Sequence, residues 1–139
     1  MRAPAHLCRA PVEPTNLDVA AFYAKLLPVL KDTDVLRNGD WSQIEPLPAW
    51  SGNRTAEGFV AYAWTSKDGG RYVAAINYSE NQGQCYLLLP FHELRDTQTL
   101  LTDLMGRETY RRDGSDLIDR GLYIDQTAWQ FNLFEIRNI

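Results

Sequence analysis

Two alternating runs joined by a glycine pair constrain this chain most. Phe59-Val60-Ala61-Tyr62-Ala63-Trp64-Thr65 and Tyr72-Val73-Ala74-Ala75-Ile76-Asn77-Tyr78 flank Lys67-Asp68-Gly69-Gly70. Tyr, Trp, Val and Ile suit a pleated surface and glycine supplies the positive φ of a tight turn, so the pattern predicts a β-hairpin. Further β-rich runs lie at 41–45, 84–90, 100–104, 121–125 and 129–136, with turns expected at Asn81-Gln82-Gly83, at Asp113-Gly114 and before Gly121. That spacing predicts a mainly β chain, an antiparallel sandwich of about seven or eight strands.

One helix should precede the strands. Residues 1–14 carry Pro4, Pro11 and Pro14 without periodicity and read as an extended arm. Thr15 is placed to cap a helix starting near Asn16, with Asp18 adding negative charge at the positive end of the helix dipole. At helical spacing Val19, Phe22, Tyr23, Leu26, Leu27 and Leu30 form a wide apolar face, while Asp18, Lys25 and Asp32 share the opposite stripe. Pro28 lacks an amide hydrogen and crowds the carbonyl of Ala24, so a break or kink is expected there. The division expected is an arm and helix over 1–39 and a β-sandwich over 40–139.

The 139 residues suffice for one domain plus a short extra element, and 45% apolar against 23% charged residues is an ordinary globular balance. A chain of this size buries roughly 70% of its unfolded surface, so a core needs neither disulfides nor metals. A net charge of −4 argues against a phosphate-tracking surface and hence against nucleic acid as a partner. No apolar stretch approaches the about 20 residues of a membrane-spanning helix, and the N-terminus lacks the apolar run of a secretion signal. Cys8 and Cys85 are too few for a disulfide framework; two thiols and one bridge both remain open.

Catalytic chemistry is sparse. Glu108, Asp113, Asp116 and Asp119 lie close in sequence, and glycosidases work with two carboxylates about 5–10 Å apart. Arg107, Arg111, Arg112 and Arg120 interleave with them, however, and Asp113-Gly114-Ser115-Asp116 is turn chemistry, so a solvated charged loop is expected. No phosphate loop, nucleophile elbow, metalloprotease helix or other cofactor motif is present. His6, Cys8, Cys85 and His92 do not match the spacing of metal-ligand pairs, and Asp32, Asp34, Asn38 and Asp40 lack that of a calcium loop. The two histidines have no identifiable nucleophile nearby. No metal and no cofactor is therefore expected.

Binding is more open, because sugar rings present apolar C–H faces that stack on aromatic side chains. Tyr62 and Trp64 alternating with Ala61 and Ala63, and Trp129-Gln130-Phe131-Asn132-Leu133, read as core-facing strand patterns, so most of these aromatics are expected inside. Trp41 and Trp50, beside Gly, Pro and Asn, are the candidates for exposure and for carbohydrate contact, with structural packing as their plainer role. Asn53-Arg54-Thr55 and Asn77-Tyr78-Ser79 match the glycosylation acceptor pattern, although Asn77 falls inside an expected strand, where bonding to backbone suits it better.

The order of several segments is more informative than any of them alone. Pro4-Ala5-His6-Leu7-Cys8-Arg9, Phe22-Tyr23-Ala24-Lys25-Leu26-Leu27, Asp40-Trp41, Trp50-Ser51-Gly52-Asn53-Arg54-Thr55-Ala56 and Ala61-Tyr62-Ala63-Trp64 come first. Asn77-Tyr78-Ser79, Leu101-Thr102-Asp103-Leu104, Tyr110-Arg111-Arg112-Asp113-Gly114 and Gly121-Leu122-Tyr123-Ile124-Asp125 follow. Over nearly its whole length the chain resembles the C-terminal end of an α-amylase-superfamily glycoside hydrolase. The resemblance implies the last helix of a catalytic (β/α)8 barrel at about 16–31 and then the family's Greek-key β domain. The family's catalytic carboxylates reside in barrel loops, and nothing here aligns with those motifs, so no catalytic residue carries over. The expectation is a non-catalytic domain that stabilises or orients the missing barrel, with weak α-glucan contact. Its rivals are an autonomous carbohydrate-binding module and a small enzyme using Glu108, Asp113 or Asp116 in a cleft. An uncovered apolar helix would instead fold back on the sandwich or pair with a second copy of the chain, giving a homodimer.

Overall fold

The computed structural model describes Pro14 and residues 16–139; Thr15 and residues 1–13, with His6 and Cys8, lie outside the described residues. Helix α1 spans Leu17–Asp32. Its cap is Asn16, whose Oδ1 accepts from the backbone amides of Asp18 at 3.0 Å and Val19 at 3.2 Å. The expected break at Pro28 does not occur, and α1 runs through it. Proline already has a helical φ, so the cost falls on one lost hydrogen bond and the crowded Ala24 carbonyl. Ala24 and Pro28 both lie on the exposed side, where water takes up that carbonyl. A short helix α2, Val35–Asn38, then leads into the strands.

Nine strands follow: β1 Asp40–Ile44, β2 Leu47–Pro48, β3 Phe59–Thr65, β4 Arg71–Asn77, β5 Gly83–Leu87, β6 Gln98–Asp103, β7 Thr109–Asp113, β8 Leu122–Gln126 and β9 Phe131–Asn138. Helix α3, Gly114–Asp119, lies between β7 and β8. The strands form a six-stranded sheet in the order β1-β3-β4-β9-β6-β7 and a three-stranded sheet in the order β2-β5-β8. Every pairing is antiparallel, so the fold is the sandwich-like, mainly β architecture expected. The predicted hairpin is β3–β4, paired from Phe59 opposite Asn77 to Thr65 opposite Arg71. Gly69 turns it at φ 90°.

The one strand of substance that the sequence reading omitted is β7, which it placed in a charged loop. Tyr110-Arg111-Arg112 instead forms the sheet's outer edge against β6. Charged side chains on an edge strand discourage further pairing, which is why this strand carries little hydrophobic signal. Gly114, expected in a turn, opens α3, with Asp113 Oδ1 accepting from the Asp116 amide at 3.1 Å. A Cβ at Gly114 would stand 1.9 Å from the carbonyl oxygen of Leu94, so only glycine fits there.

The core lies between the two sheets. Ala61, Ala63, Val73, Ala75, Phe134 and Ile136 from the large sheet meet Cys85, Leu87, Leu122 and Ile124 from the small one. Phe91, Leu94 and Leu117 close the end near α3. The face assignment for β3 is therefore the reverse of the expectation: the alanines are buried, while Tyr62 and Trp64 are half-buried on the outer face. Sheets packed about 10 Å apart share a fixed volume, so Leu87, Leu122 and Ile124 from one side demand small residues opposite. Trp129 is a second correction. It lies two residues before β9, 61% exposed, rather than inside a strand.

Candidate functional site

Helix α1 is the first unusual surface. None of its sixteen residues is buried, although Leu17, Val19, Phe22, Tyr23 and Leu27 are large and apolar. Its one aromatic contact to the sheet is Phe22 against Phe131 on β9, ring centroids 5.6 Å apart. The helix thus lies on the outer face of the large sheet and leaves Leu17, Val19, Tyr23 and Leu27 exposed, while Leu26, Val29 and Leu30 are half-buried.

The predicted carbohydrate candidates are both exposed, Trp41 to 66% and Trp50 to 54%. They do not come together. Trp41 sits on edge strand β1 opposite Trp64, its ring 5.8 Å from that of Tyr62, so it extends the outer aromatic face. Trp50 lies in the loop after β2, at a cavity of about 350 Å³ shared with Pro48, Asn53, Arg54 and Glu57. Asn53 shapes that loop: its Oδ1 accepts from the Thr55 amide at 2.9 Å and its Nδ2 donates to Gln84 Oε1 at 2.9 Å.

A third aromatic group was missed by sequence reasoning. Tyr78, 71% exposed, and Trp129 meet edge to face with centroids 5.5 Å apart and planes at 86°. They come from different loops, Tyr78 just after β4 and Trp129 just before β9. The Trp129 amide donates to the Ser79 carbonyl at 3.2 Å, and the Tyr78 amide to the Gly58 carbonyl at 2.9 Å. Beneath them Asn77 is almost fully buried and spans both loops. Its Nδ2 donates to the carbonyls of Asn81 at 2.8 Å, Thr127 at 2.9 Å and Gln126 at 3.1 Å. Its own amide donates to the Gln130 carbonyl at 2.9 Å. Held this way, Asn77 is a structural clamp in the folded chain rather than a glycosylation acceptor.

Trp129 adopts φ 62°, a left-handed conformation rarely taken by a residue with a large side chain. It costs about 1–2 kcal/mol relative to ordinary backbone, and the surrounding hydrogen bonds hold it. Thr127 contributes through its amide, which donates to Gln130 Oε1 at 2.9 Å. The signal that could have located this pair is the match of Asn-Tyr-Ser after one strand with a polar loop and Trp before another, but only the β4–β9 pairing makes them neighbours.

The acidic candidates take local structural roles. Asp119 is paired with Arg95 at 2.8 and 3.0 Å, which holds its carboxyl below the usual range. Glu108 accepts from the Tyr110 hydroxyl at 2.6 Å, raising that phenol. Asp113 caps α3, and Asp116 is exposed in its first turn. Asp34 accepts from Asn38 Nδ2 at 2.6 Å, a turn role rather than a calcium loop. Cys85 is buried on β5 while His92 is exposed, so they do not share a site. Among the described residues no three His, Cys, Asp or Glu side chains converge. Nor is any helix among them long and apolar enough to cross a membrane.

No family model and no curated protein matches the chain. Among solved structures it is similar to a trehalulose synthase variant, at 17% identity and a TM-score of 0.52, over 86% of this chain and 18% of that one. It is also similar to a Bacillus halodurans C-125 chain described as an α-N-acetylgalactosaminidase, at 17% identity and a TM-score of 0.46, over 68% of this chain and 21% of that one. The chain thus spans about a fifth of each of these solved chains. What is shared with the trehalulose synthase variant at such identity is the fold.

Proposed function

We propose that this chain is the non-catalytic C-terminal β-sandwich region of an α-amylase-type glycoside hydrolase acting on α-glucans, and that it stabilises and orients the catalytic (β/α)8 barrel. In this reading the barrel is its principal partner and α1 is the barrel's last helix. The observation that carries it is the outward apolar stripe of α1, a sixteen-residue helix with no buried residue of its own. An amphipathic helix earns its stability by burying such a stripe, and the sandwich beneath takes up only part of it. The motif order that resembles this superfamily, and the fold shared with a segment of trehalulose synthase, support the same reading. The pairing of Glu108 with Tyr110 and of Asp119 with Arg95, and the capping by Asp113, support a non-catalytic role.

The test is to mix the chain with an α-amylase-type barrel unit from the same organism that ends before its last helix. The expected result is a higher melting temperature of the barrel unit and slowed hydrogen exchange along 17–31. Unchanged exchange there, with self-association of the chain through α1, would instead support a homodimer. Release of reducing sugar from maltotriose by the chain alone would overturn the non-catalytic role. A second reading, an autonomous carbohydrate-binding module, is favoured by the exposure of Trp41 and Trp50. It predicts α-glucan binding by the chain with no barrel present.

A further inference from the structure

The geometry points to Tyr78 and Trp129, rather than Trp41 or Trp50, as the platform on which the chain holds the pyranose rings of a neutral α-glucan. This rests on the second reading above, α-glucan binding by the chain itself, and assigns it a place. Two rings at 86° form a corner in which the edge of one meets the face of the other, and both residues are mostly exposed. A pyranose presents an apolar C–H face bordered by hydroxyls, so its binding site needs an exposed ring face with polar groups close by. Both are present. A cavity of about 420 Å³, lined by neither ring, lies one residue along the chain at Ser79 and Asn81, with Arg54, Thr55 and Glu57. Those side chains offer hydrogen-bond donors and acceptors of both charges, which suits a neutral hydroxylated ligand.

The platform is also rigid before any ligand arrives. Asn77 ties the two loops together from below, and Trp129 is held at φ 62° where a glycine would sit without strain. A large ring kept at such a position by its surroundings is a feature that points to use rather than to packing, since the indole is mostly outside the core. Preorganisation of this kind lowers the ordering cost of binding. A protein partner, by contrast, is better matched by the apolar stripe of α1, whereas the loops that carry these rings hold the polar residues Ser79, Asn81, Thr127 and Gln130.

Affinity electrophoresis of the full chain in gels containing soluble starch tests the assignment, with gels containing hydroxyethyl cellulose, a β-glucan, as the comparison. Soluble starch should retard the wild type. Trp129→Gly deletes the indole while removing the positive-φ strain, so it should fold at least as well yet bind about tenfold more weakly. Tyr78→Ala should weaken binding similarly, and Trp129→Phe, which keeps a ring, should lose less than Trp129→Gly. Trp41→Ala and Trp50→Ala should bind as the wild type does. Retention in Trp129→Gly with loss in Trp41→Ala or Trp50→Ala would overturn this site and leave the α-glucan reading standing. No retardation of the wild type by starch would overturn both the site and α-glucan contact, while barrel support is judged separately by exchange along α1. Protection of Tyr78 and Trp129 by the barrel unit and not by starch would make the pair a protein contact and overturn the assignment.

Discussion

Replacing Asn77 by Ala should be among the most damaging small changes this fold can suffer. The side chain is about 1% exposed and its two amide hydrogens serve three backbone carbonyls at 2.8–3.1 Å, on both loops that follow β4 and β8. Each such bond contributes about 1 kcal/mol net, and a buried carbonyl left without its donor costs about 1–3 kcal/mol. Asn77 Oδ1 itself lacks a partner, so its removal returns part of that loss. The balance is a destabilisation of about 3 kcal/mol, which for a chain of 139 residues lowers the melting temperature by about 10 °C. Thermal unfolding followed by circular dichroism at pH 7 reads this directly. Asn77→Asp supplies a second arm. A carboxylate would face three carbonyl oxygens, so its folded pKa rises above the unfolded value, and stability present in acid is lost as pH rises. The Asp variant should therefore be less impaired at pH 4 than at pH 7, relative to wild type. An Ala variant melting within about 2 °C of wild type, or an Asp variant with no such pH dependence, would refute the clamp.

Three further outcomes follow from the same structure. The Tyr72 phenol is pushed up to about 12, first by burial and then by its hydrogen bond to Glu135 Oε2 at 2.9 Å. Its stabilisation is complete below the ordinary phenol value near 10 and should fade between pH 10 and 12; Tyr72→Phe should flatten that part of the stability profile measured by urea unfolding. Burial pushes the Cys85 thiol up to about 12, so in the native chain at pH 8 the Cys85 peptide should resist iodoacetamide and become alkylated only in denaturant, as read by mass spectrometry. Deleting residues 1–31 should leave the sandwich with one cooperative unfolding transition, because the main core cluster lies between the two sheets; a broad, non-cooperative melt would show that α1 is needed for folding.

Local signals made much of the architecture legible. The alternation of Phe59–Thr65 and Arg71–Asn77 around a glycine turn announces a hairpin because pleat period and turn chemistry are both properties of adjacent residues. The amphipathic pattern of residues 19–30 likewise announces α1, and the exposure of Trp50 follows from its irregular surroundings, whereas Trp41 is exposed on a regular edge strand. Tertiary structure decided what depends on partners far away in sequence. Alternation in β3 defines two faces without saying which is inward; that choice came from the bulk of Leu87, Leu122 and Ile124 on the opposite sheet, which left room only for Ala61 and Ala63. The edge strand β7 is held by its pairing with β6, not by its own hydrophobicity. The Tyr78–Trp129 corner exists because β4 and β9 are neighbours although more than fifty residues apart, and a contact across such a distance leaves no periodic trace in either segment. Amino-acid order by itself thus determined the elements and their turns, through interactions within a few bonds. Packing between sheets determined which faces are buried and which aromatics meet, because volume and hydrogen bonding are settled only when distant segments share one space.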